Sequence, residues 1–133
     1  MSAWTVGAEL PARTYTVTRA DLVRYAGASG DFNPIHWSDR VATAVGLPGV
    51  IGHGMYTLAL AARAVAEWSG AAEVLELGAK FTAPVVVPDD EDGVEVTVAG
   101  TVKAVEDDRV RLALVVTSGG SKVLGNPRAV VRA

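Results

Sequence analysis

Apolar residues follow two different rhythms along this chain, and the change comes near Gly70. Before it, one short alternating run gives way to helical spacing. Arg13-Thr-Tyr-Thr-Val17 alternates and is rich in β-formers, which predicts a strand. Thr18 then offers an N-cap, and Asp21 sits in the first turn, where the helix dipole favours a carboxylate. Leu22, Val23, Tyr25 and Ala26 share a helix face, and that helix ends near Gly27 or Ser29. Residues 29–37 read as a loop, because Gly30 and Asn33-Pro34 stop a helix. Ser38 caps a brief helix through Val45, closed by Gly46, and Leu47–Gly52 is a glycine-proline loop. Met55–Trp68 is the main helix. Its apolar residues run almost all round, which predicts a helix surrounded by other elements. Arg63 and Glu67, four apart near its end, are expected to face solvent.

After Gly70 the period becomes two. Glu73–Phe81 alternates loosely, and Val85-Val-Val87 forms a short run between Pro84 and Pro88. Asp89–Gly93 is an acidic turn. Val94, Val96 and Val98 then alternate with Glu95 and Thr97. Asp107-Asp108 turns the chain into Val110, Leu112, Leu114 and Val116, and Ser118-Gly-Gly120 turns it into Lys122–Val131. Short turns between alternating runs predict antiparallel strands. The fold class is therefore α+β, a five- to six-stranded antiparallel sheet around one long helix. A curved open sheet in so short a chain leaves an unpaired edge, which predicts a dimer.

With 133 residues, half of them hydrophobic and one-fifth charged, the chain suits one domain over 1–133 with a packed core. The net charge of −3 and the lack of a Lys/Arg cluster argue against a nucleic-acid partner. The absence of cysteine excludes disulfides and thiolate chemistry and fits a cytoplasmic protein. The N-terminus lacks the charged and apolar regions of a signal peptide. Val41–Ala62 carries no charged side chain, but the glycines and proline in its middle point to a loop before a buried helix, not a membrane span.

Two segments carry chemistry. Ser29, Asp31, Asn33 and His36 crowd four hydrogen-bonding side chains into eight residues, flanked by apolar sequence. A loop stiffened by Pro34 can hold such groups rigidly, as acid–base work requires. Asp31 and His36 supply a carboxylate and an imidazole, enough to grip and polarise one water. About fifteen residues on, Gly52-His-Gly-Met55 opens the main helix. The first N–H groups of a helix have no partner within it and carry partial positive charge. Gly54 has no side chain, so a thioester oxygen can approach its N–H, a contact worth about 3 kcal/mol to a forming enolate. His53 is expected to pair with a backbone carbonyl. Read singly, Asp31 also fits a turn cap, His36 a half-buried loop residue, and Gly54 a relaxed helix start.

Tyr25-Ala-x-x-Ser29-Gly30-Asp31-x-Asn33-Pro34-Ile35-His36, followed by Ile51-Gly-His53-Gly54-Met55, resembles the hydratase-2 motif of MaoC-like, (R)-specific enoyl-thioester hydratases and dehydratases. The resemblance runs from Val6-Gly7 to the strand Gly125–Arg132. Within the family it looks nearest to the HadB-type catalytic subunit of (3R)-hydroxyacyl-ACP dehydratase, which works beside a related partner lacking the Asp/His pair. It implies a hot-dog fold in a double-hot-dog dimer, with Asp31 and His36 as the catalytic pair. Gly54 N–H is then the oxyanion donor, and Asn33 and Ser29 orient the loop. Some family members carry a serine on the central helix near position 62, where this chain has Ala62 beside Ala61.

The implied reaction is syn hydration of a trans-2-enoyl thioester, reversible by dehydration, with no metal or redox cofactor. Asp31 is the expected principal base, and His36 relays the proton. The acyl slot is expected near Val50, Ile51 and Tyr56. A CoA or acyl carrier protein carrier needs basic residues, for which Arg40 and Arg63 are candidates. Two rivals remain: an acyl-binding subunit of a heterodimeric dehydratase, and a hot-dog thioesterase. The second is disfavoured because no Asp or Glu precedes Glu67 on the central helix.

Overall fold

The computed structural model describes residues 4–133. The domain and leader expectations fall partly on residues 1–3, outside the described residues. Strand β1 (Glu9–Val17) leads into helix α1 (Arg19–Ser29), a 3-10 turn at Pro34–His36, helix α2 (Asp39–Ala44) and helix α3 (Gly54–Ser69). Strands β2 (Val74–Phe81), β3 (Val94–Glu106), β4 (Arg109–Ser118), β5 (Ser121–Lys122) and β6 (Leu124–Arg132) follow. All pairings are antiparallel, and the order across the sheet is β1-β3-β4-β6-β2, with β5 paired to β4.

Local chemistry sets the helix bounds. Thr18 and Asp21 form a reciprocal capping box at the start of α1. Ser38 caps α2 by accepting from the Val41 N–H. Helix α3 lies against β1, β2, β3 and β6. Thr57, Leu60, Ala61, Ala64 and Val65 face the sheet, where Val96, Val98, Val102, Leu112 and Val131 meet them. Burying each such Val or Leu contributes about 1.5–3 kcal/mol relative to exposure. At the far end of α3, Trp68 packs on Gly100, where a Cβ would come within 2.9 Å of the indole ring. This is the hot-dog arrangement that the resemblance implies.

Three expectations need correction. The main helix is not surrounded: Met55, Ala59, Arg63 and Glu67 are exposed, because nothing among the described residues covers the back of α3. Val85–Val87 is not a sheet strand. Flanked by two prolines, it pairs instead with the segment before α3, through Gly52 N–H to Val85 O (2.8 Å), Val87 N–H to Val50 O (3.0 Å) and an Ile51–Val86 bridge. Lys122–Val131 is not continuous, since its start pairs with β4 and the chain then crosses at Val123 to lie between β4 and β2. Asn126 (φ 46°) and Pro127 interrupt β6, and Gly78–Lys80 on β2 shifts register opposite them. Among the described residues no helix is long and apolar enough to cross a membrane.

Candidate active site

The first site segment is a relay of side chains bonding to backbone two residues on. Gly30, at φ 78°, ends α1 in a left-handed conformation that suits glycine. Ser29 Oγ accepts from Asp31 N–H (3.1 Å), Asp31 Oδ1 from Asn33 N–H (3.2 Å), and Asn33 Oδ1 from Ile35 N–H (3.2 Å). Pro34 then opens the 3-10 turn that carries His36 inward, to 7% exposure.

The second segment is stitched to the first. Ile51 N–H donates to Ile35 O (3.1 Å), and Nδ1 of His36 lies 2.7 Å from Ile51 O. A carbonyl can only accept, so Nδ1 carries a proton, and in the neutral ring Nε2 is the nitrogen with the lone pair. By the same reasoning His53 Nε2–H donates to Asp31 O at 3.2 Å. The two imidazoles stack with centroids 3.8 Å apart, and Tyr25 sits edge-on to His53 at 4.8 Å. Burial pushes the pKa of His53 down, and the neighbouring His36 adds to that against the Asp31 carbonyl. The neutral form of His53 is thereby favoured, with a buried Nδ1 that has no partner among the described residues.

These ties set the spacing that matters. His36 Nε2 and Asp31 Oδ2 stand 3.9 Å apart, too far for a direct bond. One water reaches both with arms of about 2.8 Å. Both groups face it with lone pairs, so both its protons are committed and its own lone pairs are free to attack. Asp31 is half exposed and His36 is buried, so a water held between them would sit at the border of solvent and interior.

Helix α3 starts beside this pair. His53 occupies its N-cap without a side-chain cap, and its carbonyl accepts from Tyr56 and Thr57. Among the described residues the Gly54 and Met55 amides have no acceptor. They provide two free donors at the positive end of a sixteen-residue helix.

Two hollows flank Gly54. One, of about 350 Å³, is mainly apolar and is lined by His36, Leu47, Ile51, Thr57, Pro84 and Leu124 among others. The other, of about 250 Å³, holds Tyr25, Ser29, Asp31, His53 and Met55. Of the slot residues expected from sequence, Ile51 lines the larger hollow. Val50 does not: it is fully buried, its N–H donating to Asp39 Oδ1 (2.9 Å). Tyr56 lines neither hollow and packs edge-on to Tyr25 at 5.2 Å. Sequence reasoning missed Phe81, which borders both hollows, and Thr57 and Leu124. Nothing in a period-two pattern marks the end of β2 as part of a site.

Of the carrier candidates, Arg40 is exposed, while Arg63 lies 4.8 Å above the Tyr15 ring. Tyr15 also donates to Glu67 Oε1, which raises the phenol pKa to about 12 with burial as the larger cause. Glu67 is thus engaged far along α3 from Gly54. Asp31, His36 and His53 bring one potential ligand atom each within 4.8 Å of one another. One nitrogen of each ring is spent on a carbonyl.

A family model described as MaoC like domain matches residues 3–119. The chain belongs to the MaoC-like domain family. Among curated proteins, this MaoC-like chain is 38% identical over 79 residues to 3-hydroxyacyl-thioester dehydratase X of Mycobacterium tuberculosis, covering 59% of this chain and 27% of that protein. Among solved structures it matches a MaoC-like dehydratase with TM-score 0.92 and 35% identity, over 96% of this chain and 40% of the other. It also matches R-hydratase PhaJ1 of Pseudomonas aeruginosa, with TM-score 0.82 and 27% identity, over 96% and 81% of the two chains. The chain thus spans about a quarter of the length of the curated relative.

Proposed function

We propose that this MaoC-like domain catalyses reversible hydration of trans-2-enoyl thioesters to (3R)-3-hydroxyacyl thioesters, on CoA or an acyl carrier protein. The observation that carries the reading is the 3.9 Å gap between Asp31 Oδ2 and His36 Nε2, with His36 held in the tautomer that accepts at Nε2. Conjugation with the thioester makes C3 electrophilic. The shared water attacks C3 as Asp31 takes one of its protons, while His36 Nε2 orients it through the other. The π electrons move to the carbonyl oxygen, which the Gly54 amide stabilises. The enolate then takes a proton at C2 from the same side, which makes the addition syn and restores Asp31. Dehydration runs the same steps backwards. Asp31 and His36 hold the same water, so the acid and base roles belong to them jointly. The names of the similar proteins, a hydroxyacyl-thioester dehydratase and an R-hydratase, agree with this chemistry.

The domain works as a pair of hot-dog units, with a second copy or a related subunit. Strand β2 supports this, since it pairs only with β6 and leaves its other edge free among the described residues. Arg40 is the candidate for the carrier phosphates.

The test is hydration of crotonyl-CoA and longer enoyl thioesters, followed by loss of enoyl absorbance, with chiral analysis of the product. Wild-type protein should form the (3R) alcohol. Near-wild-type rates in Asp31→Asn or His36→Ala, or release of free thiol without hydration, would refute the reading. Protein inactive alone but active with a co-purifying relative would identify the heterodimeric form.

A further inference from the structure

Residues 50–52 run between two other segments and are bonded to both. On one side Gly52 N–H donates to Val85 O (2.8 Å) and Val87 N–H to Val50 O (3.0 Å). On the other, Ile51 N–H donates to Ile35 O, and the Ile51 carbonyl accepts from His36 Nδ1. The Ile51 carbonyl and the Gly52 N–H belong to one planar peptide unit and point in opposite directions. The bond from Gly52 to Val85 therefore aims the oxygen that fixes the proton on His36. Residues 85–87 lie between Pro84 and Pro88, outside β1–β6, so the strand ladder does not set their position. One side chain closes the arrangement from outside. Arg19, the first residue of α1, donates through Nε to Val87 O (2.7 Å) and through Nη2 to both oxygens of Asp39 (2.9 and 3.1 Å). Asp39 Oδ1 in turn accepts from Val50 N–H (2.9 Å). The guanidinium thus holds Val87 directly and Val50 through Asp39. Asp39 also opens α2, three residues after His36, so the same carboxylate anchors the far end of the reactive loop. The Val50 amide and then the Arg19 guanidinium hold its carboxyl below the usual carboxylate range.

We propose that Arg19 is a positioning residue that keeps His36 in the tautomer whose Nε2 accepts, acting through Val87, Asp39 and the Ile51 carbonyl. The inference rests on the proposed function, in which His36 Nε2 orients the attacking water. Without the guanidinium, Val50 and Val87 lose their common tether. The Ile51–Gly52 peptide is then free to tilt, and the imidazole gains the alternative of carrying its proton on Nε2. In that tautomer His36 donates to the water instead of accepting from it. The donated bond occupies a lone pair that the attack on C3 needs, and the water loses the partner that turned its second proton away. A lysine at this position keeps the charge but offers one ammonium in place of a rigid fork with donors on diverging lines.

The test reads the tautomer directly. The chain has two histidines, and two-bond proton–nitrogen correlation spectra at about pH 8, where imidazole is ordinarily neutral, tell an Nδ1–H ring from an Nε2–H ring. His53, which donates from Nε2 to Asp31 O, supplies the opposite signature for comparison. Wild type should show His36 protonated at Nδ1. Arg19→Met should mix in the Nε2–H form and lower kcat for crotonyl-CoA about tenfold or more, toward the 10²-fold that a displacement of about 1 Å can cost, with KM changed far less. Arg19→Lys should lie between. If either the tautomer or kcat (within about twofold) stays at its wild-type value in both folded variants, the proposal is overturned, because a merely structural tie moves only the melting temperature. If Arg19→Met fails to fold, Arg19→Lys alone decides in the same way. The two readings fail separately, since the spectra need no turnover. If the Asp31→Asn enzyme hydrates crotonyl-CoA normally, the assigned chemistry is wrong. If hydration depends on Asp31 but the His36 tautomer and kcat ignore Arg19, only the role of Arg19 is lost.

Discussion

Replacing Gly54 by proline removes one hydrogen atom from the site while leaving the helix its start. Gly54 is the first residue of α3, the position at which proline is most at home. The residue before a proline must be extended, and His53 already is, at φ −62° and ψ 135°. The amide lost has no acceptor among the described residues, so no structural bond goes with it. Its loss should act only when negative charge gathers on the substrate carbonyl. One missing oxyanion donor costs about 10²–10³ in kcat, or about 2.7–4 kcal/mol. Proline also introduces a Cβ, which would press on the Phe81 ring. Gly54→Ala carries the same Cβ and keeps the N–H, so the ratio of the two variants removes the effect of Cβ and reports the replacement of the N–H by the proline Cδ. Stopped-time hydration of crotonyl-CoA should give kcat for Gly54→Pro about 10²-fold or more below Gly54→Ala, with KM changed far less. Circular dichroism melts of both variants check that α3 is intact. Equal kcat values in two folded variants would show that the carbonyl is not held at Gly54.

Three further outcomes are expected. Asp31→Asn should lower kcat for hydration by about 10²–10⁴ while leaving the melting temperature near wild type, because Asp31 is half exposed and its loop bonds survive in an amide. His53 has a lowered pKa from burial, so below about pH 6.5 the unfolded chain takes up a proton that the folded chain refuses. Stability should fall as pH drops from 7 to 5.5, and His53→Asn should show a shallower fall in thermal melts, with a reduced kcat as Asp31 loses its tie. Leu22→Ala should cost about 2–5 kcal/mol in urea unfolding, because Leu22 is fully buried beneath the segment that precedes α3.

The parts of the fold with strong local signals were legible. Thr18 with Asp21, Ser38, and Gly30 mark helix ends through side chains acting on their own neighbourhood, and the structure places those ends within a residue or two of the expectation. The alternating valines of β3 and β4 likewise announce a half-buried sheet. What failed depended on partners distant in sequence. Val85–Val87 has the composition of a strand, but its hydrogen bonds go to residues 50–52. Met55–Trp68 is apolar enough to be enclosed, yet composition does not say which chain would enclose it. In the site, Asp31 and His36 were legible as residues because they crowd one short loop. Their 3.9 Å spacing was not, since it depends on the Ile51 carbonyl and the His53 ring, fifteen to twenty-two residues away. Phe81 carried no signal, because only the packing of the end of β2 on Gly54 brings that ring to the border of both hollows.

The three cross-ties between residues 31–36 and 51–53 have an architectural consequence. Reactive loop and helix start form a single cartridge, clipped together through main-chain oxygens and so indifferent to most side chains around them. Pro84, Leu124 and their neighbours furnish the walls of the larger hollow without taking part in those clips. Such a division lets the walls be re-cut for longer, shorter or bulkier tails while the cartridge stays untouched. Anyone moving the site to another scaffold would have to move both halves of the clip together, because the bonds that set the spacing of Asp31 and His36 run between them.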